Sequence, residues 1–143
     1  MNQILGWKEW VELPQLGVPP IKAKIDTGAK TSSLHAENIE SFSKDGDAYV
    51  RFSTNFGIEN SKSITCECPV IDKRTVVSSS GQGELRYAIL TKIRLGEWSG
   101  DVEMTLTSRK KMQYNMLVGR TSIRAGNFLV DPSKKYILGK LKI

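Results

Sequence analysis

The sequence predicts an all-β protein, a small closed β-barrel or sandwich with one short helix near its C-terminus. Three observations carry this. Apolar and polar residues alternate along several stretches, no helical period is sustained beyond two turns, and strand-like runs recur at roughly 8–12-residue spacing between turn signals. In Ile21-Lys22-Ala23-Lys24-Ile25 the apolar residues fall on one face and both lysines on the other. Ala48 to Phe52 alternates in the same way after the turn signal Lys44-Asp45-Gly46-Asp47. Ile64, Cys66, Cys68 and Val70 share one face of a further run, and Tyr87, Ile89, Thr91, Ile93 and Leu95 share a face of the longest one, which ends at Gly96.

The later elements follow by the same reasoning. Asp101 to Thr107 turns Val102, Met104 and Leu106 inward. Met116-Leu117-Val118 is a continuous apolar run, the pattern of a strand buried on both sides. Phe128-Leu129-Val130 and Tyr136-Ile137-Leu138 predict two closing strands around a turn at Asp131-Pro132-Ser133. Arg120 to Ala125 is the one helical candidate, with Gly126 as its C-terminal cap. Val18-Pro19-Pro20 is expected to separate a first, Trp-bearing strand from the rest, and Trp7, Trp10 and Trp98 read as packing residues.

Composition excludes several function classes. With 39% apolar and 25% charged residues among 143, the chain has enough apolar material for one folded domain and does not read as disordered. No apolar run approaches the roughly 18 residues of a membrane span, and the N-terminus lacks a basic segment leading into an apolar one. Cys66 and Cys68 cannot build a disulfide framework. A cytoplasmic setting is therefore expected, with no membrane association. The net charge of +6 comes from dispersed residues, the densest run being Arg109-Lys110-Lys111, and no aromatics interleave with arginines. A nucleic-acid partner is not expected; a field that attracts an acidic partner is.

The chemistry concentrates at Ile25-Asp26-Thr27-Gly28-Ala29. An apolar strand runs into a carboxylate, a hydroxyl and a glycine, so the carboxylate is fixed on a rigid element and Gly28 leaves room for close approach. A lone carboxylate at neutral pH is a weak base. Two of them about 3 Å apart cannot both ionise and share one proton, so one acts as base toward water and the other as acid toward a carbonyl. About 90 residues later comes Asn115-Met116-Leu117-Val118-Gly119-Arg120, an apolar strand followed by Gly-Arg and a helix. Between them, Arg74 to Tyr87 reads as two strand-like arms around a tip with Gly81 and Gly83.

This order of motifs resembles the single-domain, retroviral-type aspartic proteases, the retropepsins. The stretch Lys24 to Ala36 with Met116 to Arg120, Leu129 to Ser133, Arg74 and Arg86 is more similar to a bacterial family labelled as ATP-dependent zinc proteases, often encoded beside an ATP-grasp glutamate ligase. The likeness spans about residues 6 to 140. It implies a single retropepsin-like domain over 1–143, a small closed barrel of the acid-protease type, with Asp26 catalytic and Thr27 and Gly28 presenting it. The flap residues Arg74, Ser79, Gly81, Gly83 and Arg86 become candidate substrate contacts. The glycines would let the flap bend over a bound peptide, and the arginines would read substrate carboxylates.

Only one Asp-Thr-Gly is present, because Val130-Asp131-Pro132-Ser133 lacks the glycine. A catalytic dyad therefore requires a homodimer with Asp26 from each chain. In retroviral enzymes the residue after the loop alanine is acidic and pairs with the arginine of the Gly-Arg motif. Here it is Lys30, so Glu37 or Asp131 is expected to partner Arg120, or the dimer is built differently. Neither a metal nor another cofactor is expected. His35 is the one histidine, no two-imidazole zinc motif or phosphate-cradling loop occurs, and Cys66-Glu67-Cys68 reads as core rather than as ligands. Ser78, Ser79 and Ser80 lie on the flap without a nucleophile elbow, which disfavours serine catalysis. The expected function is aspartic peptide hydrolysis, with acidic or glutamylated tails as substrate from the charge and the resemblance, and the ligase as a partner. A catalytically silent peptide- or partner-binding module is the alternative reading, with metal-dependent hydrolysis a distant third.

Overall fold

The computed structural model describes residues 3–56, 62–77, 80–109 and 112–139. Twelve strands appear: β1 (Ile4–Leu5), β2 (Lys8–Leu13), β3 (Val18–Ile25), β4 (Ser32–His35), β5 (Glu37–Lys44), β6 (Asp47–Phe56), β7 (Lys62–Pro69), β8 (Asp72–Val77), β9 (Gly83–Leu95), β10 (Trp98–Thr107), β11 (Met116–Val118) and β12 (Leu129–Val130). One helix, α1, covers Arg120–Ala125, and a short 3-10 turn covers Pro14–Leu16. The main sheet runs in the order β10-β4-β11-β3-β2-β9-β8, and pairing of β9 with β10 closes six of its strands into a barrel. The expected all-β barrel with one short helix is what forms. Among the described residues no helix is long and apolar enough to cross a membrane.

The core follows from the alternation. Ile21, Ala23 and Ile25 of β3, Leu34 of β4, Ile89, Ile93 and Leu95 of β9, and Met104 and Leu106 of β10 all join one buried cluster. A separate sheet, β5-β6-β7, adds Val50, Phe52, Cys66 and Cys68 to that cluster. The β5–β6 hairpin turns at Asp45 and Gly46, with φ of 51° and 85°, the two left-handed positions that an Asp-Gly hairpin turn demands. Truncating the fully buried Phe52 ring to alanine would cost about 3–5 kcal/mol, so this sheet is part of the stability of the whole.

Several local expectations are corrected. Val18-Pro19-Pro20 is not the break after the Trp-bearing strand: that break is the turn at Pro14–Leu16, and the tripeptide opens β3, where the β2–β3 register shifts between Val11 and Leu13. The irregularity there relieves two prolines of ladder bonds they cannot donate. Gly126 does cap α1, its N–H donating to the Ser122 carbonyl at 3.2 Å, but not in left-handed form: its φ is −88°, and the left-handed residue is the following Asn127, at 55°. A side chain at Gly126 would collide with the Phe128 ring, which is why glycine stands there. Tyr136 to Leu138 form no strand. The Ile137 and Leu138 N–H groups donate instead to the carboxylate of Glu9, at 3.0 and 3.2 Å, which also accepts the Gly6 N–H at 2.7 Å.

Glu9 is fully buried, so those three amides are its main compensation for leaving water. Glu9→Gln turns one acceptor into a donor aimed at N–H groups, and is expected to cost about 2 kcal/mol in urea unfolding. The two cysteines are buried and free, and burial pushes the Cys66 thiol up to about 11 and the Cys68 thiol up to about 12. Neither should be alkylated by iodoacetamide in the folded protein at pH 8, while both react in denaturant, as mass spectrometry would read.

Candidate functional site

Asp26 follows β3 directly, and its backbone N–H donates to the Val118 carbonyl of β11 at 2.9 Å, one step beyond the parallel register that pairs Ile25 with Val118. The chain then turns tightly. The Ala29 N–H donates to the Asp26 carbonyl at 3.3 Å, and the Gly28 N–H donates to Asp26 Oδ1 at 2.9 Å. One carboxylate oxygen is thereby fixed by the loop itself. A Cβ on Gly28 would lie 3.1 Å from that same oxygen, so the glycine keeps the approach to the carboxylate open.

The start of α1 holds this loop from the other side. Arg120 N–H donates to the Ala29 carbonyl at 2.8 Å and Thr121 N–H to the Lys30 carbonyl at 3.0 Å. The Arg120 side chain reaches back, and its Nη1 donates to the Thr27 and Gly28 carbonyls at 2.9 and 3.1 Å. This corrects the expectation of a carboxylate partner. Glu37 is taken by His35 Nε2 at 3.1 Å, and Asp131 accepts from the Ser133 N–H and hydroxyl at 2.9 and 2.6 Å. In place of an acid, Arg120 uses one terminal nitrogen on two loop carbonyls. Lys30 is within electrostatic reach of Glu103 on β10, whose carboxyl is held low first by the Arg74 hydrogen bond and last by Lys30.

Deeper in, Ser32 and Ser122 share a hydrogen bond at 2.7 Å, and Ser32 Oγ also accepts the Gly119 N–H at 3.0 Å. Both serines are fully buried. A Cβ on Gly119 would lie 2.7 Å from the Thr31 carbonyl carbon and 3.0 Å from the Ala29 carbonyl oxygen.

The flap is the β8–β9 hairpin, with Val77 opposite Gly83 and Arg74 opposite Arg86. Gly81 has a φ of 85°, the left-handed conformation expected of the tip, and Ser79 lies outside the described residues. Arg74 donates to Asp72 at 3.0 Å and to Glu103 at 2.8 Å, while Arg86 donates to Glu84 at 3.1 Å. Glu84 in turn accepts from the Thr107 hydroxyl at 2.9 Å. The structure thus brings the two arginines face to face, but each already holds acids of its own chain.

Sequence reasoning left His35, Arg109 and Tyr114 out of the site. Arg109 N–H donates to His35 Nδ1 at 2.8 Å and Arg109 Nε to the Tyr114 carbonyl at 2.9 Å. Nothing local marks this cluster, because its parts come from β4, from the end of β10 and from the approach to β11. With both ring nitrogens engaged, His35 has no lone pair left for a metal, and Cys66 and Cys68 point into the core. Among the described residues no cluster of three or more His, Cys, Asp or Glu side chains is positioned to hold a metal ion.

With this geometry in view, comparison with known proteins is decisive. The family described as "Retropepsin-like aspartic endopeptidase RimB" matches residues 4–140. The chain belongs to the RimB-like family. Proteins named "Probable alpha-L-glutamate ligase" are similar to it: one from Shewanella pealeana is 46% identical over 139 residues, 96% of this chain and 30% of the relative. One from Desulfotalea psychrophila is 41% identical over 141 residues, 98% of this chain and again 30% of the relative. The chain therefore spans about a third of the curated relatives it matches. A crystal structure of a Legionella pneumophila protein of unknown function is similar at a TM-score of 0.81 and 31% identity, covering 96% of this chain and 99% of that one.

Within this RimB-like chain the loop and helix are packed backbone to backbone at Gly119. Gly119→Ala should cost about 2–3 kcal/mol in thermal or urea unfolding, because backbone rather than a flexible side chain must move.

Proposed function

We propose that this RimB-like chain is an aspartic peptidase in which Asp26 from each of two identical chains forms the catalytic dyad. The observation that supports this most is the hold on Asp26: a strand-end carboxylate, one oxygen fixed by the Gly28 N–H, on a loop tied to β11 and α1. Two such carboxylates across a two-fold axis share a proton. One takes a proton from water as it attacks the peptide carbonyl, while the other protonates the carbonyl oxygen; the first then passes its proton to the leaving amine as the second recovers one from the tetrahedral diol. Thr27 and Gly28 present the carboxylate, and the flap with Arg74, Ser79, Gly81, Gly83 and Arg86 closes over the peptide.

Acidic or glutamylated protein tails are the proposed substrates. The chain carries +6, and its relatives are named as glutamate ligases, the class of enzyme that makes such tails. A ligase of that class is the proposed partner, in a cytoplasmic setting. The second reading, a binding module without hydrolysis, is favoured by there being one Asp-Thr-Gly per chain, which leaves an isolated chain with half a dyad.

Incubation with an oligoglutamate-tailed protein tests the reading. Wild type is expected to shorten the tail and Asp26→Asn to be slower by about 10³-fold or more; equal trimming would remove Asp26 from the mechanism. Sedimentation separates the two readings, since a chain that stays monomeric at high micromolar concentration with substrate present has no dyad and can only bind.

A further inference from the structure

Arg74 and Arg86 are occupied, yet a third arginine faces the same region without an acid. Arg109 lies just past β10, half-buried, and is held at two points: its N–H on His35 Nδ1 and its Nε on the Tyr114 carbonyl. Those anchors are rigid. His35 ends β4 and is 2% exposed, with Nε2 braced by Glu37. The Tyr114 ring packs edge-on against Trp7 with centroids 6.1 Å apart, and the Trp7 carbonyl accepts the N–H of Ile25, the residue before Asp26.

An arginine fixed through Nε keeps its two terminal nitrogens for a planar, two-pronged partner. Among the described residues no carboxylate lies within ion-pair distance of Arg109. Burial does most to disfavour its charged form, the Arg86 charge adds to this, and Asp26 opposes it. Arg86 of the flap and Asp26 are thus both within electrostatic reach of Arg109. A partly desolvated cation that faces a second cation gains most from an incoming anion. Next to it, an open cleft of about 520 Å³ runs past Ser108, Thr107, Leu85 and Tyr87; its two carboxylates, Glu37 and Glu84, are already engaged, the first by His35 and the second by Arg86 and Thr107.

We propose that Arg109 is the specificity-determining residue of the site, reading a substrate carboxylate through its two terminal nitrogens beside the Asp26 loop. The proposal rests on the acidic-peptide reading above and adds the residue that does the reading. His35 and Tyr114 are positioning residues: they aim the guanidinium and touch no substrate.

The full chain carrying Asp26→Asn, which binds without cutting, is titrated with penta-α-L-glutamate and with pentaglutamine. The parent is expected to prefer the glutamate peptide. Arg109→Gln is expected to weaken glutamate binding tenfold or more and to leave glutamine binding unchanged, as loss of one charge-assisted pair implies. Arg109→Lys should recover part of the affinity, because lysine keeps the charge and loses the fork. A parent that prefers glutamate while Arg109→Gln binds equally well overturns the assignment of Arg109 alone. A parent with no preference overturns the acidic-substrate reading and this proposal together. A second measurement needs no variant: phenylglyoxal labelling of the unmutated chain, mapped by mass spectrometry, should modify Arg109 and be blocked by pentaglutamate but not by pentaglutamine. Absence of labelling, or labelling that pentaglutamate leaves unchanged, also overturns it.

Discussion

The Asp26 carboxylate is placed by one backbone junction, where its loop meets the start of α1. Five hydrogen bonds from three consecutive residues hold it. Gly119, Arg120 and Thr121 donate through their N–H groups to Ser32 Oγ, the Ala29 carbonyl and the Lys30 carbonyl, and the Arg120 side chain adds the Thr27 and Gly28 carbonyls. These donors would otherwise be the unpaired N–H groups of a helix's first turn. Spending them on the loop satisfies both partners at once. The junction is tight because Gly119 has no Cβ, and it is sealed beneath by the buried Ser32–Ser122 pair.

The consequence for chemistry is that the carboxylate is presented by backbone rather than by neighbouring charges. Arg120 supports Asp26 through the carbonyls one and two positions further on, at Thr27 and Gly28, rather than through the carboxylate. Such an arrangement leaves Asp26 free to respond to whatever approaches the open side of the loop, in the proposed reading a second Asp26. It also explains why a lysine is tolerated at position 30. In a scheme where Arg120 needs an acid, Lys30 would be a conflict; here Lys30 lies in the field of Glu103, and the arginine is satisfied elsewhere.

The flap side follows a different logic. Its root is tied down by exposed ion pairs, with Arg74 bridging Asp72 and Glu103 and Arg86 bound to Glu84. Exposed pairs of this kind are each worth little, and salt screens them. In the proposed reading a hairpin held in this way bends over the peptide, and a substrate carboxylate exchanges with Glu84 or Asp72 at small cost. Arg109, by contrast, is anchored by two neutral hydrogen bonds, to His35 at the end of β4 and to the Tyr114 carbonyl before β11.

Much of this was legible in the chain. Alternation marks the core faces of β3, β6, β7, β9 and β10, because a strand half in water must alternate whatever surrounds it. The Asp45-Gly46 turn and α1 follow from local chemistry, and Asp26-Thr27-Gly28 with Gly119-Arg120 carries the family. Tyr136 to Leu138 was misread as a strand because its amides go to Glu9, a side chain 128 residues away along the chain, which no local pattern encodes. The choice of carbonyls over a carboxylate for Arg120, and the meeting of His35, Arg109 and Tyr114, are of the same kind. Period, turn chemistry and motif order are properties of neighbours in sequence, so the chain alone determined the alternating strands, the helix and the aspartate. Which donors meet which acceptors is a property of how the barrel closes, so only the tertiary structure decided what holds that aspartate and what holds Arg109 and Arg120.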